Sequence, residues 1–174
     1  MSTVEILTQK EKELVAVATS IASGCVPCTM HHIKAVREAG ASEAEVLGVT
    51  RIALDVRDNA TEMMAEVAQG NLNYEYPGKA QSGPIKQPID NLAALGAALA
   101  CNSVAGLEYY STTTKAAGAS TRQIQTAIGI AQSIRRSAAE KVDVGIRNLI
   151  KPTPGKAENA QKQKESVTPP CGCN

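Results

Sequence analysis

Phenylalanine and tryptophan are both missing from this chain of 174 residues, and its aromatic content is four tyrosines. A core without large rings must draw its buried area from Ala, Val, Ile and Leu on closely approaching helices, which predicts an all-α protein. An excess of either charge is missing too: 18 Lys and Arg against 17 Asp and Glu leave a net +1. Neither nucleic acid nor a membrane surface is then an expected partner, because neither association has an electrostatic driving force. No apolar run reaches membrane-spanning length, and the opening "MSTVEILTQKEKE" mixes acidic and basic residues where a signal peptide would be apolar. A cytoplasmic location follows as the expectation. In that compartment five cysteines, at 25, 28, 101, 171 and 173, point to redox, catalytic or metal chemistry rather than a disulfide framework.

Helix signals come in order. Thr8 and Glu11 form a capping-box pattern ahead of Leu14, Val17, Ala18 and Ile21, and Gly24 closes that helix. A second helix is expected to start around Cys25 to Pro27, since proline in a first turn costs no hydrogen bond, and to end at Gly40. Ser42 and Glu45 form another capping box, opening a helix whose apolar side is Val46, Val49, Ile52, Ala53 and Val56, with a possible break near Asp58 or Asn59 before it resumes to about Gln69. Residues 71–88 carry three prolines and read as a linker.

After the linker the pattern returns. Sliding the sequence by 78 positions lays "REAGASEAEV" on "KAAGASTRQI", and the same shift pairs Leu14 with Leu92, Ala22 with Ala100, Ile52 with Ile130 and Arg57 with Arg135. One helical unit used twice is the expected architecture of residues 1–150, the first repeat at 8–70 and the second at 89–150. From Lys151 onward the chain is polar, rich in Pro and Lys and without apolar periodicity; it cannot bury enough surface to offset chain entropy and is expected to be a flexible tail over 151–174.

The repeats disagree where it matters. In the first, "SGCVPCTMHH" packs two cysteines and two histidines together; the shift places Ser103 on Cys25, Gly106 on Cys28, Tyr109 on His31, Tyr110 on His32 and Asn91 on Glu13. Residues needed for packing would recur in the second copy of the scaffold, so the first half is expected to carry chemistry and the second to support it. A Cys-x-x-Cys pair at a helix N-terminus meets unsatisfied N–H groups and the positive end of the helix dipole, which stabilise a thiolate. Cys28 and His32, four apart, share a helical face, so the imidazole can exchange the thiol proton, while His31 points about a hundred degrees away and reads as a solvent-facing or packing residue. Glu13 begins a stripe of small residues, Ala16, Ser20 and Ser23, along which a neighbouring helix can bring the carboxylate to the thiols. The helix terminus favours Cys25 as nucleophile and the histidine spacing favours Cys28. A zinc site built from Glu13, Cys25, Cys28 and His32 is the rival reading, weakened by the lack of a second ligand pair. Cys101 falls on Ser23 and reads as a small buried residue.

The stretch "EKELVAVATSIASGCVPCTMHHIKAVREAGASEAEV" resembles the carboxymuconolactone decarboxylase family, in its alkylhydroperoxidase D-like redox branch. The matching elements are Glu13, Cys25, Cys28, His32 and the following Gly-Ala-Ser. The resemblance implies an all-helical bundle, homo-oligomers, no cofactor, and a peroxidase in which Cys28 attacks peroxide, Cys25 resolves it, and Glu13 and His32 move protons. A peroxide substrate and an external dithiol reductant are the implied partners. Because two units are fused, a homotrimer would provide the six units of the single-repeat hexamers. Two departures stand out. The active motif lies in the first half, whereas two-half relatives of this branch carry it in the second, and the terminal "PPCGCN" lies outside the family pattern. Cys171 and Cys173 could exchange disulfides with the helical pair or form a soft site for a thiophilic metal or metalloid. Lactone decarboxylation, which the family name suggests, needs acid–base groups and no dithiol.

Overall fold

A computed structural model describes residues 6–71 and 88–150. The described residues form six helices and no strand: α1 (Gln9–Ala22), α2 (Val26–Glu38), α3 (Glu43–Ala68), α4 (Pro88–Ala100), α5 (Val104–Ala116) and α6 (Thr121–Leu149). The all-α expectation holds. The chain divides into two compact units, residues 1–141 and 142–174. Of the second, the described part is the last turns of α6 and Ile150, with Val142, Ile146 and Leu149 exposed. The expected flexible tail, with Cys171 and Cys173, and all but the ends of the expected linker lie outside the described residues.

The helix starts follow the local chemistry. Thr8 and Ser42 cap α1 and α3, each accepting from the N–H three residues on while Glu11 and Glu45 accept from the cap N–H groups in return. Helix α3 runs unbroken, so the break foreseen at Asp58 or Asn59 does not occur. The cost of Asp and Asn inside a helix is a few tenths of a kcal/mol each, and Asn59 is itself buried on the same face as Val56 and Ile52. Pro88, read as linker, is instead the first residue of α4, where its missing N–H has no partner to lose.

The helix boundaries can be compared at the 78-residue shift. Helix α5 begins and ends 78 residues after α2, and α6 begins 78 after α3. The turns match as well: left-handed residues occur at Gly24 and Asn102 (φ +70° and +57°) and at Gly40 and Gly118 (+84° and +89°). Even the second-helix caps correspond, because Cys25 Sγ accepts from the Cys28 N–H as Ser103 Oγ accepts from the Gly106 N–H.

The core lies around the two first helices of the repeats. Val15, Val17 and Ala18 of α1 and Leu92, Leu95, Ala97 and Ala98 of α4 are all essentially sealed from solvent. They approach closely because Gly96 meets α1 without a side chain; a Cβ there would come within 2.5 Å of Thr19 Oγ1. The apolar stripe of α3, Val46 to Val56, joins the same core, as its spacing requires. Cys101, expected to be buried, is half-buried at the edge of this core, its thiol donating to the Ala22 carbonyl at 3.7 Å.

Candidate redox site

Helix α2 sets the thiols. Cys25 is its N-cap with extended backbone (φ −87°, ψ 95°), and Cys28 sits in the first turn, so both sulfurs stand at the positive end of the helix. Gly24 permits the sharp entry, with the Arg57 guanidinium 3.3 Å from where a Cβ would be. The two cysteines are joined as a disulfide with a Cα separation of 5.3 Å. Both are nearly sealed, 7% and 6% exposed, and pack with Ala16 of α1 and Ile134 of α6. The small-residue stripe from Glu13 thus receives the redox pair, through Ala16.

One turn further along α1, Glu13 reaches His32: its Oε2 lies 2.9 Å from Nδ1. The side chains are 15% and 19% exposed, so this pair is shielded without being sealed. An ionised carboxylate can only accept, so the ring meets it with Nδ1–H and leaves Nε2 as the basic nitrogen. The other carboxylate oxygen, Oε1, accepts from Gln9 Nε2 at 2.9 Å.

Cys28, Glu13 and His32 open onto one cavity of about 560 Å³. Its lining comes as three helical stripes. Helix α1 contributes Gln9, Lys12, Glu13 and Ala16; α2 contributes Pro27, Cys28, His31 and His32; α6 contributes Ile130, Ser133, Ile134, Ser137 and Lys141. Cys28 lines the cavity and Cys25 does not, so a molecule in it meets the second sulfur. The sequence brings four expected residues, Glu13, Cys25, Cys28 and His32, to one place.

Three things were not foreseen. His31 is exposed as expected, but it also lines the cavity, with its ring edge-on to His32 at a centroid separation of 4.9 Å. Gln9 holds the second oxygen of Glu13, and its signal was available, four residues earlier on the same face. The α6 wall carried no signal of its own, being an ordinary run of Ile and Ser more than a hundred residues from the motif. Among the described residues no three His, Cys, Asp or Glu groups converge as a metal ligand set.

The second half differs at the corresponding positions. At the position of His32 stands Tyr110, wholly buried, and at that of Cys28 stands Gly106. Asn91, in place of Glu13, is buried at 5% exposure. There the same scaffold has become core.

Residues 3–69, which contain α1 to α3 and all four expected site residues, match the model of the carboxymuconolactone decarboxylase family. No curated protein and no solved structure matches the chain.

Proposed function

We propose that the protein is a thiol-disulfide oxidoreductase of alkylhydroperoxidase type, reducing hydroperoxides through Cys28 and Cys25, a reading supported by the match of residues 3–69 to the model of the carboxymuconolactone decarboxylase family. The observation that carries this reading is the meeting of a bonded dithiol pair with a Glu13–His32 pair on one cavity, at the start of a helix. A lactone decarboxylase has no use for the dithiol.

The cycle starts from the reduced pair. The helix terminus stabilises the Cys28 thiolate, and His32, oriented by Glu13, takes its proton. The thiolate sulfur attacks the distal peroxide oxygen; the O–O bond breaks, an S–O bond forms, and the leaving alkoxide takes a proton from His32 to depart as an alcohol. The Cys25 sulfur then displaces hydroxide from the Cys28 sulfenic acid, giving the disulfide and, with one proton, water. An external dithiol reduces the pair by two exchanges and leaves as its own disulfide. Cys28 lines the cavity and Cys25 does not, which suits Cys25 to resolving rather than attacking.

Peptide mass spectrometry after stoichiometric peroxide tests the reading. The reduced protein is expected to form the Cys25–Cys28 disulfide first, Cys25→Ser to accumulate sulfenic acid on Cys28, and Cys28→Ser to consume no peroxide. Oxidation of Cys25→Ser at no faster a rate than free cysteine would refute it. A homotrimer is proposed with it, for which exposed Met64 and Val67 near the end of α3 offer apolar surface; light scattering that returns a monomer excludes the trimer.

A further inference from the structure

Two walls of the cavity carry a lysine each. Ala16 and Ile134 pack directly on the cysteines. From Ala16 the α1 stripe climbs toward the helix start through Glu13 to Lys12 and Gln9, and from Ile134 the α6 stripe climbs the other way through Ser137 to Lys141. At 1.5 Å of rise per residue, Lys12 stands roughly 6 Å along α1 from Ala16, and Lys141 roughly 4.5 Å along α6 from Ala138, which also packs against the cysteine cluster. Two lysines from two walls therefore line the cavity that Cys28 also lines, and Pro27, Ala16, Ile130 and Ile134 supply apolar surface.

Among the described residues neither Lys12 nor Lys141 is ion-paired, whereas Lys10 and Lys34 pair with Glu45 and Glu38. Glu13 is the one carboxylate lining the cavity. Both of its oxygens are occupied, by His32 and Gln9. A ligand entering here meets two cations, apolar side chains and the Cys28 sulfur.

We propose that Lys12 and Lys141 make this cavity selective for carboxylate-bearing ligands, with the anionic group held by the lysines and the reacting group, an O–O or S–H bond, at Cys28 across an apolar spacer. The inference deepens the peroxidase reading and rests on the same site. Each ammonium–carboxylate contact at such partly exposed lysines contributes up to roughly 1 kcal/mol, so that the two together are equivalent to about tenfold in kcat/KM. Neutral ligands of the same shape lose those contacts and leave the lysines solvated.

The test uses matched pairs on the whole chain. One arm compares a fatty acid bearing a mid-chain hydroperoxide with its methyl ester as oxidant of the reduced protein. The other compares 3-mercaptopropionate with 2-mercaptoethanol as reductant of the Cys25–Cys28 disulfide. Because the two thiols differ in intrinsic reactivity, the quantity read is the acid-to-neutral rate ratio in the wild type divided by that in the Lys12→Met/Lys141→Met variant.

A ratio of ratios of about ten or more in either arm supports the proposal. The arm that shows it identifies whether oxidant or reductant carries the acid. In that arm the neutral ligand is expected to react with the variant within about twofold of wild type, and Lys34→Met, a surface change outside the cavity, is expected to leave the ratio unmoved. A ratio of ratios near one in both arms overturns the proposal, as does an equal fall produced by Lys34→Met. Failure of any peroxide to oxidise the thiols would sink the peroxidase reading instead, and the thiol arm would still decide on the lysines.

Discussion

Glu13 and His32, nineteen residues apart in sequence, meet with a carboxylate oxygen 2.9 Å from an imidazole nitrogen, on the wall of the cavity that Cys28 also lines. The contact orients the ring from the side away from its free nitrogen, so the carboxylate acts through the histidine. Replacing either partner by glutamine is expected to slow peroxide-dependent disulfide formation by roughly a hundredfold or more. Glu13→Gln retains a hydrogen-bonding group of similar size but removes the charge that supports the imidazolium. Stopped-flow oxidation of the two variants, with their thermal stability measured alongside, distinguishes a relay from a structural pair; wild-type rates in both would leave the pair without a chemical role.

The structure also isolates a thiol that should stay out of this chemistry. Burial pushes the Cys101 thiol above its ordinary range, and the nearby Arg57 guanidinium offsets only part of that. With no thiolate to offer near neutral pH, Cys101 is expected to alkylate more slowly than Cys25 and Cys28 once these are reduced. A pH series of iodoacetamide labelling, read by peptide mass, checks the order. Cys101 labelling first at pH 7 would contradict it.

Much of this arrangement was legible in the sequence, and the reasons are local. Capping boxes announce themselves because Thr8 with Glu11, and Ser42 with Glu45, satisfy N–H groups within one turn. The 78-residue shift places the helices correctly because both halves keep the same turns, down to the left-handed residues at 24 and 102. It also singles out Glu13, Cys25, Cys28 and His32 as the positions where packing demands nothing, since Asn, Ser, Gly and Tyr serve in the other copy. What stayed hidden is tertiary. Nothing in Ile130, Ser133, Ile134, Ser137 or Lys141 reveals that this face of α6 closes over the α2 thiols; the equivalent face of α3, with Ile52 and Val56, carries buried residues of the main core. Asp58 and Asn59 misled for the converse reason, because a weak local preference yields where Asn59 is itself buried on the face that carries Ile52 and Val56.

Acid tolerance should depend in part on the link between α1 and α3. The Lys10 ammonium donates to Glu45 Oε1 at 2.7 Å. That contact, followed by the Ser42 cap N–H and hydroxyl, holds the Glu45 carboxyl down to about 2. A carboxyl lowered on folding stabilises the fold above its unfolded value of about 4.3, and the contribution fades as pH falls from there through 2. The pair is more than a third exposed, so solvent screening keeps the effect small. Lys10→Met is expected to lower Tm at pH 6 by at most roughly 3 °C, and the difference from wild type should shrink toward pH 2 and in high salt. A difference that grew as pH fell would reverse the assignment.

The crossing of α1 and α4 gives the sharpest structural prediction. Gly96 of α4 faces α1 where Thr19 and Val15 are fully buried, and a Cβ there would lie 2.5 Å from Thr19 Oγ1 and 3.2 Å from Val15 Cγ1. Thr19 has little freedom to yield, because its hydroxyl donates to the Val15 carbonyl at 2.8 Å inside the sealed core. Gly96→Ala gains helix propensity worth roughly 1 kcal/mol, yet overpacking of this kind costs typically about 1–3 kcal/mol. The overlap is severe enough for the second effect to win. A net loss of stability is expected in urea, with the midpoint lowered and the slope unchanged. In Thr19→Ser the hydroxyl stays beside Gly96, so Gly96→Ala should cost nearly as much there. In Thr19→Ala the atom is gone, the two changes should be far from additive, and Gly96→Ala should become neutral or stabilising. An equal cost of Gly96→Ala in the Thr19→Ala background would show that the clash with this hydroxyl is not what the glycine avoids.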